Sequence, residues 1–359
     1  MVHRDRPATL RDVATAAGVH PATASRALNP TTRSLVSEDT ARRVSGVAAR
    51  LGYRPNPVAR SLRTRRSDTI GVLIPDLNNP LFPPIVRGIE DRLAEHGYVA
   101  LLGNTDADLA KERHVFGQLR ARHVDGFVLG TSTPGSPILA EAAAADVPAV
   151  LINRTLGDCP FSSVSVDDEQ GVRSAVAHLA ALGHTRIGHI AGPQDASTGS
   201  GRLRGFEAGM AACHLPLSET QVDCAAAYSL EEGVRCGRAL LGARPDLTAV
   251  VAASDMLAVG CYTALDDLGL RCPQDVSVVG VNDMPFVDRL RPPLTSVRFP
   301  HYQLGTEAAT LLVERIEDPG TPVKVLFLAP ELVARGSTAP PRPGAAHGGA
   351  VVPLGHSTA

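Results

Sequence analysis

The sequence has few of the residue patterns that support metal, redox or membrane roles. Its six cysteines form no Cys-x-x-Cys pair and its twelve histidines form no His-x-x-x-His pair, although zinc sites need ligands at such spacings. The first residues contain no apolar signal core, so export and disulfide formation are not expected. No uninterrupted apolar run approaches the roughly 20 residues that cross a bilayer. These absences predict a cytoplasmic protein with no metal, no cofactor and no membrane partner.

The motifs of several enzyme classes are also missing. There is no Gly-x-Ser-x-Gly elbow and no Gly-x-x-x-x-Gly-Lys-Ser/Thr loop. Gly199, Gly201 and Gly205 follow the apolar run Ile187–Ala191, but their spacing is wrong for a dinucleotide fingerprint and the loop over 193–198 is too long for a tight phosphate turn. The sequence therefore predicts a protein that is not an enzyme.

The charge is distributed unevenly along the chain. Residues 1–66 contain thirteen arginines and four acidic residues, whereas the remainder has 22 basic and 33 acidic residues, within a formal net charge of -2. A compact basic module beside an acidic body is what binding to a phosphate backbone requires of one part only. The N-terminal fifth is therefore the candidate nucleic-acid-binding part.

Three short helices are predicted in the first fifty residues. Thr9 and Asp12 have the spacing of a helix N-cap, and Gly18 ends that helix. Pro21 suits the first position of a second helix, and Ser37 begins a third. Two helices joined by a glycine turn predict a helix-turn-helix. The arginine-rich segment that follows has almost no apolar face and is expected to be a marginally stable linker.

From Thr69 onward, short apolar runs alternate with amphipathic stretches, which is typical of doubly wound parallel sheets. The candidate strands are Ile70–Ile74, Val99–Leu102, Phe127–Leu129, Val147–Ile152, Ile187–Ala191, Ala249–Ala253 and Val276–Val281. The candidate helices are Ile85–His96, Asp168–Leu182, Arg202–Ala212, Leu230–Leu241 and Asp255–Leu268. About ten strands in 270 residues are more than one open sheet normally holds, so two lobes are expected. The Pro-, Gly- and Ala-rich tail is expected to be disordered.

Seven segments in this order resemble the lactose and galactose repressor family of bacterial transcription regulators, over a stretch from Thr9 to about Thr338. They are TLRDVATAAGVHPATASRALN, RPNPVARSL, DLNNPLF, GPQDASTGSGRLRGF, ASDMLAVG, CPQDVSVVGVND and RPPLTSV. The resemblance implies an α-helical helix-turn-helix headpiece, a hinge helix and an α/β two-lobed core of the periplasmic-binding-protein type (type I), usually as a homodimer or dimer of dimers. A homodimer is favoured because the tail has no leucine heptad.

The expected domain boundaries follow from this organisation. The headpiece is expected over 1–53, the hinge over 54–66, the effector-binding and dimerisation core over 67–338, and the disordered tail over 339–359. Lobe 1 is expected to comprise about 67–155 and 296–320, and lobe 2 about 156–295 and 321–338.

By resemblance, the second helix enters the DNA major groove and the hinge contacts the minor groove. Arg26 is expected to read guanine, with Pro21 and Ala22 making apolar contacts and Thr23, Ser25 and Asn29 positioning phosphates. Leu62 is the expected minor-groove wedge. Val58 and Ala59 are expected to contact the partner hinge, and Arg60 a phosphate. The implied partner is a pseudo-palindromic double-stranded operator.

The resemblance also places an effector between the lobes, at the carboxyl ends of the strands. The implied effector-binding residues are Asn79, Leu81, Phe82, Asn153, Thr198, Arg202, Tyr228, Ser254, Asp255 and Asn282. Asn153 and Asn282 stand where the family often has aspartate, so less hydroxyl-accepting charge is expected in the cleft. Core packing is the alternative role for Phe82 and Tyr228, and capping of its own helix is the alternative role for Asp255.

The resemblance predicts a repressor that a small molecule, first of all a sugar, releases from its operator. Three alternatives remain open at this point. The effector could be a nucleobase or a phosphocarrier protein, or the chain could be a solute-binding protein with no role on DNA.

Overall fold

The computed structural model describes residues 8–29, 32–54, 66–133, 135–157 and 159–342. The chain divides into two compact units, Met1–Ser67 and Asp68–Ala359. The first unit is the headpiece and the second is the core, and each is described by itself. None of the helices in these described residues is long and apolar enough to span a membrane.

The described residues of the headpiece form three α-helices, as the sequence predicts: α1 (Leu10–Ala16), α2 (Pro21–Leu28) and α3 (Glu38–Arg50). Thr9 and Asp12 form a reciprocal capping box at the start of α1. The Nδ1 atom of His20 accepts a hydrogen bond from the Ala22 amide at 3.2 Å and caps α2. The helices enclose a small core of buried alanine and valine side chains: Val13, Ala14, Ala17, Ala24, Ala27, Ala41, Val44, Val47 and Ala48.

The core contains two six-stranded sheets, which confirms the two-lobed α/β prediction. The first sheet has the order β11-β5-β4-β3-β1-β2, with every pairing parallel. Its strands are β1 (Thr69–Ile74), β2 (Val99–Asn104), β3 (Gly126–Leu129), β4 (Ala149–Ile152), β5 (Ser162–Val166) and β11 (Val325–Leu328). Its helices are α4 (Phe82–Glu95), α5 (Leu109–Ala121), α6 (Pro137–Ala144) and α11 (His301–Glu317).

The second sheet has the order β12-β10-β9-β8-β6-β7, and only β12 is antiparallel to its neighbour. Its strands are β6 (Ile187–Ala191), β7 (Val222–Cys224), β8 (Ala249–Ala252), β9 (Ser277–Asn282), β10 (Thr295–Arg298) and β12 (Glu331–Val333). Its helices are α7 (Asp168–Ala181), α8 (Ser197–Ala212), α9 (Leu230–Ala243) and α10 (Asp255–Asp267).

The lobe boundaries differ from the expected ones. The strand β5 pairs with β4 and β11 in the first sheet, so residues 162–166 and 325–328 do not belong to lobe 2. Similarly, β10 pairs with β9, so residues 296–298 belong to the second sheet. The chain thus crosses between the sheets after β5, after β10 and after β11. The strand pairings define the boundary between the lobes. The sequence did not reveal β5 because this serine-rich strand has no apolar run.

Candidate functional site

The outward face of α2 carries the residues predicted to read DNA. Ala24 and Ala27 are buried in the headpiece core, while Ala22 and Arg26 are exposed and Ser25 is half-buried. Pro21, Thr23 and Asn29 are also half-buried. One face of a short helix is therefore free to enter a groove, with a single arginine on it. The hinge predictions at Val58, Ala59, Arg60 and Leu62 lie outside the described residues.

In the core, a cleft of about 640 Å³ lies at the carboxyl ends of both sheets. The loops after four strands of the first sheet and two of the second line it, as parallel sheets arranged in this way allow. The lining residues are Pro75, Asp76, Asn78, Asn79, Thr105, Asp106, Ala107, Asp108, Leu109, Glu112, Thr131, Thr133, Arg154, Pro193, Asp195, Ala196, Ala226, Ala227, Tyr228 and Ser229.

Only two of the ten predicted effector-binding residues, Asn79 and Tyr228, line this cleft. The Asn79 Oδ1 atom accepts a hydrogen bond from the Leu81 amide at 3.0 Å, at the start of α4. Leu81 and Phe82 are buried in the apolar core. Asn153 is buried beside the lining residue Arg154. Effector contacts by Leu81, Phe82 and Asn153 stay predictions.

Arg202 lies behind the cleft in a closed network of polar contacts. Its side chain is 2% exposed, and its Nε atom donates to Asp168 at 2.7 Å. Nη1 donates to the Ala253 carbonyl at 2.6 Å and Nη2 to Asn282 at 3.4 Å. Burial is the largest single effect and opposes the charge on the guanidinium, but the interactions with Asp168, Tyr228 and Asp255 together outweigh it and raise the pKa of Arg202. Arg202 is therefore charged and fully engaged within the protein.

Tyr228 covers this network and presents its ring to the cleft. The Arg202 guanidinium carbon lies 5.6 Å from the Tyr228 ring centroid, within the range of a cation–π contact. The Tyr228 hydroxyl donates to Thr198 Oγ1 at 3.1 Å. A Cβ atom at Gly192 would lie 2.4 Å from the Tyr228 hydroxyl. The absence of a side chain at Gly192 therefore allows the Tyr228 ring to pack here. Thr198 does not line the cleft, but its hydrogen bond holds the Tyr228 side chain in place.

Ser254 and Asp255 hold the second lobe together beneath the cleft. Ser254 Oγ caps α10 by accepting from the Leu257 amide at 3.2 Å. The Asp255 carboxylate accepts from the Met284 amide at 2.7 Å and from Ser296 Oγ at 2.6 Å. Burial raises the pKa of Asp255 to about 7. These hydrogen bonds tie the loop after β9 and the strand β10 to α10.

Arg154 is a cleft residue that the sequence reasoning missed. Its Nη1 atom donates to the carbonyl oxygens of Thr131 at 3.0 Å and Ser132 at 3.5 Å. Within the described residues Arg154 forms no ion pair, although the carboxylates of Asp195 and Glu112 lie close enough to act on its charge. Desolvation lowers the pKa of Arg154. The signal was its position directly after Asn153, at the end of β4.

Glu112 is a buried residue on the first-lobe side of the cleft. It is 1% exposed and accepts hydrogen bonds from the Thr131 hydroxyl and from Ser136 Oγ, the latter at 2.7 Å. Thr131 therefore bonds Arg154 through its carbonyl and Glu112 through its hydroxyl. On a helix with polar neighbours, Glu112 looks in the sequence like a surface residue. Only the fold shows that it is buried.

The cleft is more acidic than the sequence led us to expect. Asn153 and Asn282 predicted a reduced negative charge, but five other carboxylates line the cleft: Asp76, Asp106, Asp108, Glu112 and Asp195. Carboxylate oxygens accept hydrogen bonds from hydroxyl groups, and the Tyr228 ring offers an apolar face. The arrangement suits a ligand that combines hydroxyl groups with an apolar ring surface.

Comparison with known proteins finds matches over both units. The family described as bacterial regulatory proteins, lacI family, matches residues 9–56, and a periplasmic binding protein-like domain matches residues 176–338. The HTH-type transcriptional regulator CelR of Thermobifida fusca is 37% identical over 344 residues, which cover 94% of this chain and 100% of that protein.

Two solved structures are also similar. One is described as a complex of the transcriptional regulator CelR with cellobiose, with 34% identity, a TM-score of 0.72, and coverage of 92% of this chain and 99% of that chain. The other is described as the Lac repressor dimer bound to operator and the anti-inducer ONPF, with 28% identity, a TM-score of 0.82, and coverage of 93% and 100%.

Proposed function

Because this chain belongs to the lacI family of bacterial regulatory proteins, we propose that it is a sequence-specific DNA-binding repressor whose affinity for its operator is controlled by a carbohydrate bound in the cleft. Members of this family are transcription regulators. We propose further that the chain acts as a homodimer in the bacterial cytoplasm, on a pseudo-palindromic operator, and that it catalyses no reaction.

The observation that carries the DNA-binding proposal is the exposed face of α2. Arg26 is the residue on this face that can donate two hydrogen bonds to guanine O6 and N7. Ala22 offers only apolar contact, for example with a thymine methyl group. The burial of Ala24 and Ala27 fixes the opposite face in the headpiece core. Base discrimination therefore depends mainly on Arg26.

The lining of the cleft supports a carbohydrate effector. Sugars offer both hydroxyl donors and an apolar ring face, which match the carboxylates and the Tyr228 ring. The CelR relative solved with cellobiose has a core of the same fold. A nucleobase would use the aromatic ring equally well, but it would leave most of the carboxylates without hydroxyl partners.

The connection between the lobes supports a mechanism in which the effector changes their relative arrangement. The three chain crossings leave the lobes linked by short segments, and the Thr155 amide donates to Ser197 Oγ at 3.1 Å across the boundary. A ligand that contacts both walls favours one arrangement of the lobes over the other. In the proposed mechanism this choice is passed to the hinge over residues 54–66, and so to the headpiece.

The test of this proposal is operator binding by the full chain. An operator is selected from a random duplex library, and its affinity is measured by fluorescence anisotropy for the wild type and for Arg26→Ala. We expect Arg26→Ala to weaken binding to the selected site by about 1–3 kcal/mol with little change on random DNA. The control is Arg238→Ala, which removes an exposed core arginine that is paired with Asp267. Equal losses on selected and random DNA would contradict the assigned role of Arg26.

A further inference from the structure

The charges that line the cleft are strongly biased to one sign. Five carboxylates and one guanidinium, that of Arg154, are among its lining residues. Asp106 is partly balanced by its ion pair with Lys111. Asp195 is exposed on the second-lobe wall and Asp76 is half-buried on the first-lobe wall. Neither belongs to an ion pair within the described residues, and Asp195 interacts with the Arg154 charge only at longer range. The rim of the cleft is therefore negative.

The helix N-termini at the cleft do not reverse this bias. A helix N-terminus normally attracts anions through its free amide groups. At α5, however, the Asp108 carboxylate already accepts a hydrogen bond from the Lys111 amide at 2.7 Å. At α9, Ser229 caps the Glu232 amide at 3.3 Å, and Glu231 and Glu232 lie in the first turn. The protein's own side chains thus satisfy the positive ends of both helices.

The N-terminus of α8 is closed off in a different way. It has no side-chain cap, but Thr198 and Gly199 in its first turn are buried. A Cβ atom at Gly199 would lie 1.8 Å from the Pro193 carbonyl oxygen. The glycine lets this carbonyl pack against the first turn of α8, where it offers negative rather than positive partial charge.

Arg154 alone does not make an anion site. Its guanidinium is held by two carbonyl oxygens, and Glu112 lies on the other side of Thr131. A phosphate group needs several converging donors, such as an arginine fork together with free backbone amides. The cleft provides one partly occupied arginine beside a buried carboxylate.

We infer that the cleft takes an uncharged polyhydroxylated ligand and discriminates against phosphorylated and carboxylated sugars, with Asp76 and Asp195 as the residues that repel anions. This inference rests on the proposed carbohydrate effector and specifies its charge. It also assigns to the two aspartates a selective role that is separate from binding hydroxyl groups.

The test uses the full chain and matched sugar pairs. Isothermal titration calorimetry and thermal-shift measurements compare glucose with glucose 6-phosphate, ribose with ribose 5-phosphate, and cellobiose with cellobionic acid. We expect at least one neutral sugar to bind, and its anionic counterpart to bind at least tenfold more weakly at low ionic strength. The ratio should fall in 0.5 M NaCl because salt screens charges at the rim.

Variants show whether the two aspartates cause the discrimination. We expect Asp76→Asn combined with Asp195→Asn to narrow the ratio between the neutral and the anionic sugar severalfold, mainly by improving binding of the anion. Glu207→Gln, an exposed change on α8 away from the cleft, should leave the ratio unchanged. An unchanged ratio in the double variant would overturn the role given to Asp76 and Asp195.

Other outcomes separate this inference from the proposed function. Binding of an anionic sugar as tight as, or tighter than, that of its neutral counterpart would overturn the inference and leave the sugar-controlled regulator standing. If none of the six compounds binds while operator binding persists, the carbohydrate effector is wrong and the inference falls with it, but the DNA-binding role is retained. Loss of selective operator binding alone would contradict the proposed function without affecting the charge selection.

Discussion

The two walls of the cleft use arginine in opposite ways. On the second-lobe side, Arg202 is almost fully buried, ion-paired with Asp168 and covered by the Tyr228 ring. On the first-lobe side, Arg154 lines the cleft, and its hydrogen bonds to the described residues go to carbonyl oxygens. Of the two arginines, the one available to a ligand is Arg154, which forms no ion pair within the described residues, although Asp195 and Glu112 act on its charge from farther away. The sequence alone does not distinguish the two arginines. Arg154 directly follows Asn153, a predicted site residue, and Arg202 lies in the segment GPQDASTGSGRLRGF that also carries the family resemblance.

The largest effect that separates the two walls is expected from Arg202→Ala. Removing one partner of a buried pair leaves the Asp168 carboxylate uncompensated, so we expect the free energy of unfolding to fall by about 3–5 kcal/mol. Chemical denaturation of the full chain, followed through the core transition, measures this loss. A loss of effector response with unchanged stability would show instead that Arg202 serves the ligand directly.

A matched control lies two residues further along the same helix. Arg204 pairs with Glu169 on α7, but both side chains are about half exposed. Exposed pairs contribute roughly 0–1 kcal/mol. Arg204→Ala should therefore cost far less stability than Arg202→Ala, and equal losses would contradict the burial argument.

The stability of the protein is expected to depend on pH through Asp255, on the second-lobe side of the cleft. Since burial raises the pKa of Asp255 to about 7, while an unfolded aspartate titrates near 3.9, the folded state holds a proton that the unfolded state releases between these values. Stability should therefore decrease as pH rises from about 4 to about 7, by up to about 4 kcal/mol, and then level off.

The measurement is the difference in unfolding free energy between the wild type and Asp255→Asn across pH 4–8. The asparagine can accept from the Met284 amide and cannot ionise, so this contribution to the pH dependence should disappear in the variant. A difference that stays constant over the whole range would show that Asp255 does not titrate as described.

On the first-lobe side, Arg154→Met is expected to reduce sugar affinity more than stability, whereas Arg202→Ala is expected to reduce mainly stability. Arg154→Met removes two hydrogen bonds to carbonyl oxygens but leaves no ion-paired carboxylate of the described residues uncompensated, so the unfolding free energy should fall by about 1–2 kcal/mol, less than for Arg202→Ala. Affinity for a bound sugar should fall by about 1.5–3 kcal/mol, the usual range for hydrogen bonds to a charged group. Calorimetry gives the affinity and denaturation the stability. If the stability loss matched that of Arg202→Ala, the contrast between the walls would be lost.

The smallest effect is expected at Tyr228, where the two sides meet. Tyr228→Phe keeps the ring but loses the hydrogen bond to Thr198, so we expect a cost of about 0.5–1.5 kcal/mol in stability. Sugar affinity should be nearly retained because the ring face remains. Tyr228→Ala is the comparison: if the ring contacts the ligand, this variant should lose much more affinity than Tyr228→Phe.

The apolar runs were enough to predict the parallel sheets and the two lobes, because strands covered on both faces must be apolar throughout. They did not reveal β5, where Ser163 and Ser165 are buried although they are polar. The lobe boundary was misplaced for this reason. The helix-turn-helix was predictable from short-range capping and turn residues, which depend little on the rest of the fold.

The cleft was harder to predict than the sheets. The sequence pointed to the ends of β1, β4, β6 and β7, but it could not show that Arg202 turns inward to Asp168 while Arg154 stays at the cleft. Such a choice depends on which carboxylate lies close in space, and Asp168 is 34 residues from Arg202 in sequence. Glu112 was missed because its partners Thr131 and Ser136 come from a different element.

In the proposed mechanism, occupancy of the core cleft sets the affinity of the headpiece for its operator. Fluorescence anisotropy measures the operator affinity of the full chain with and without a neutral sugar, at a concentration that calorimetry shows to be saturating. We expect the sugar to change the operator Kd at least tenfold, equivalent to about 1.4 kcal/mol of coupling. An operator Kd that is the same with the cleft empty and with the cleft filled would show that the cleft does not control DNA binding.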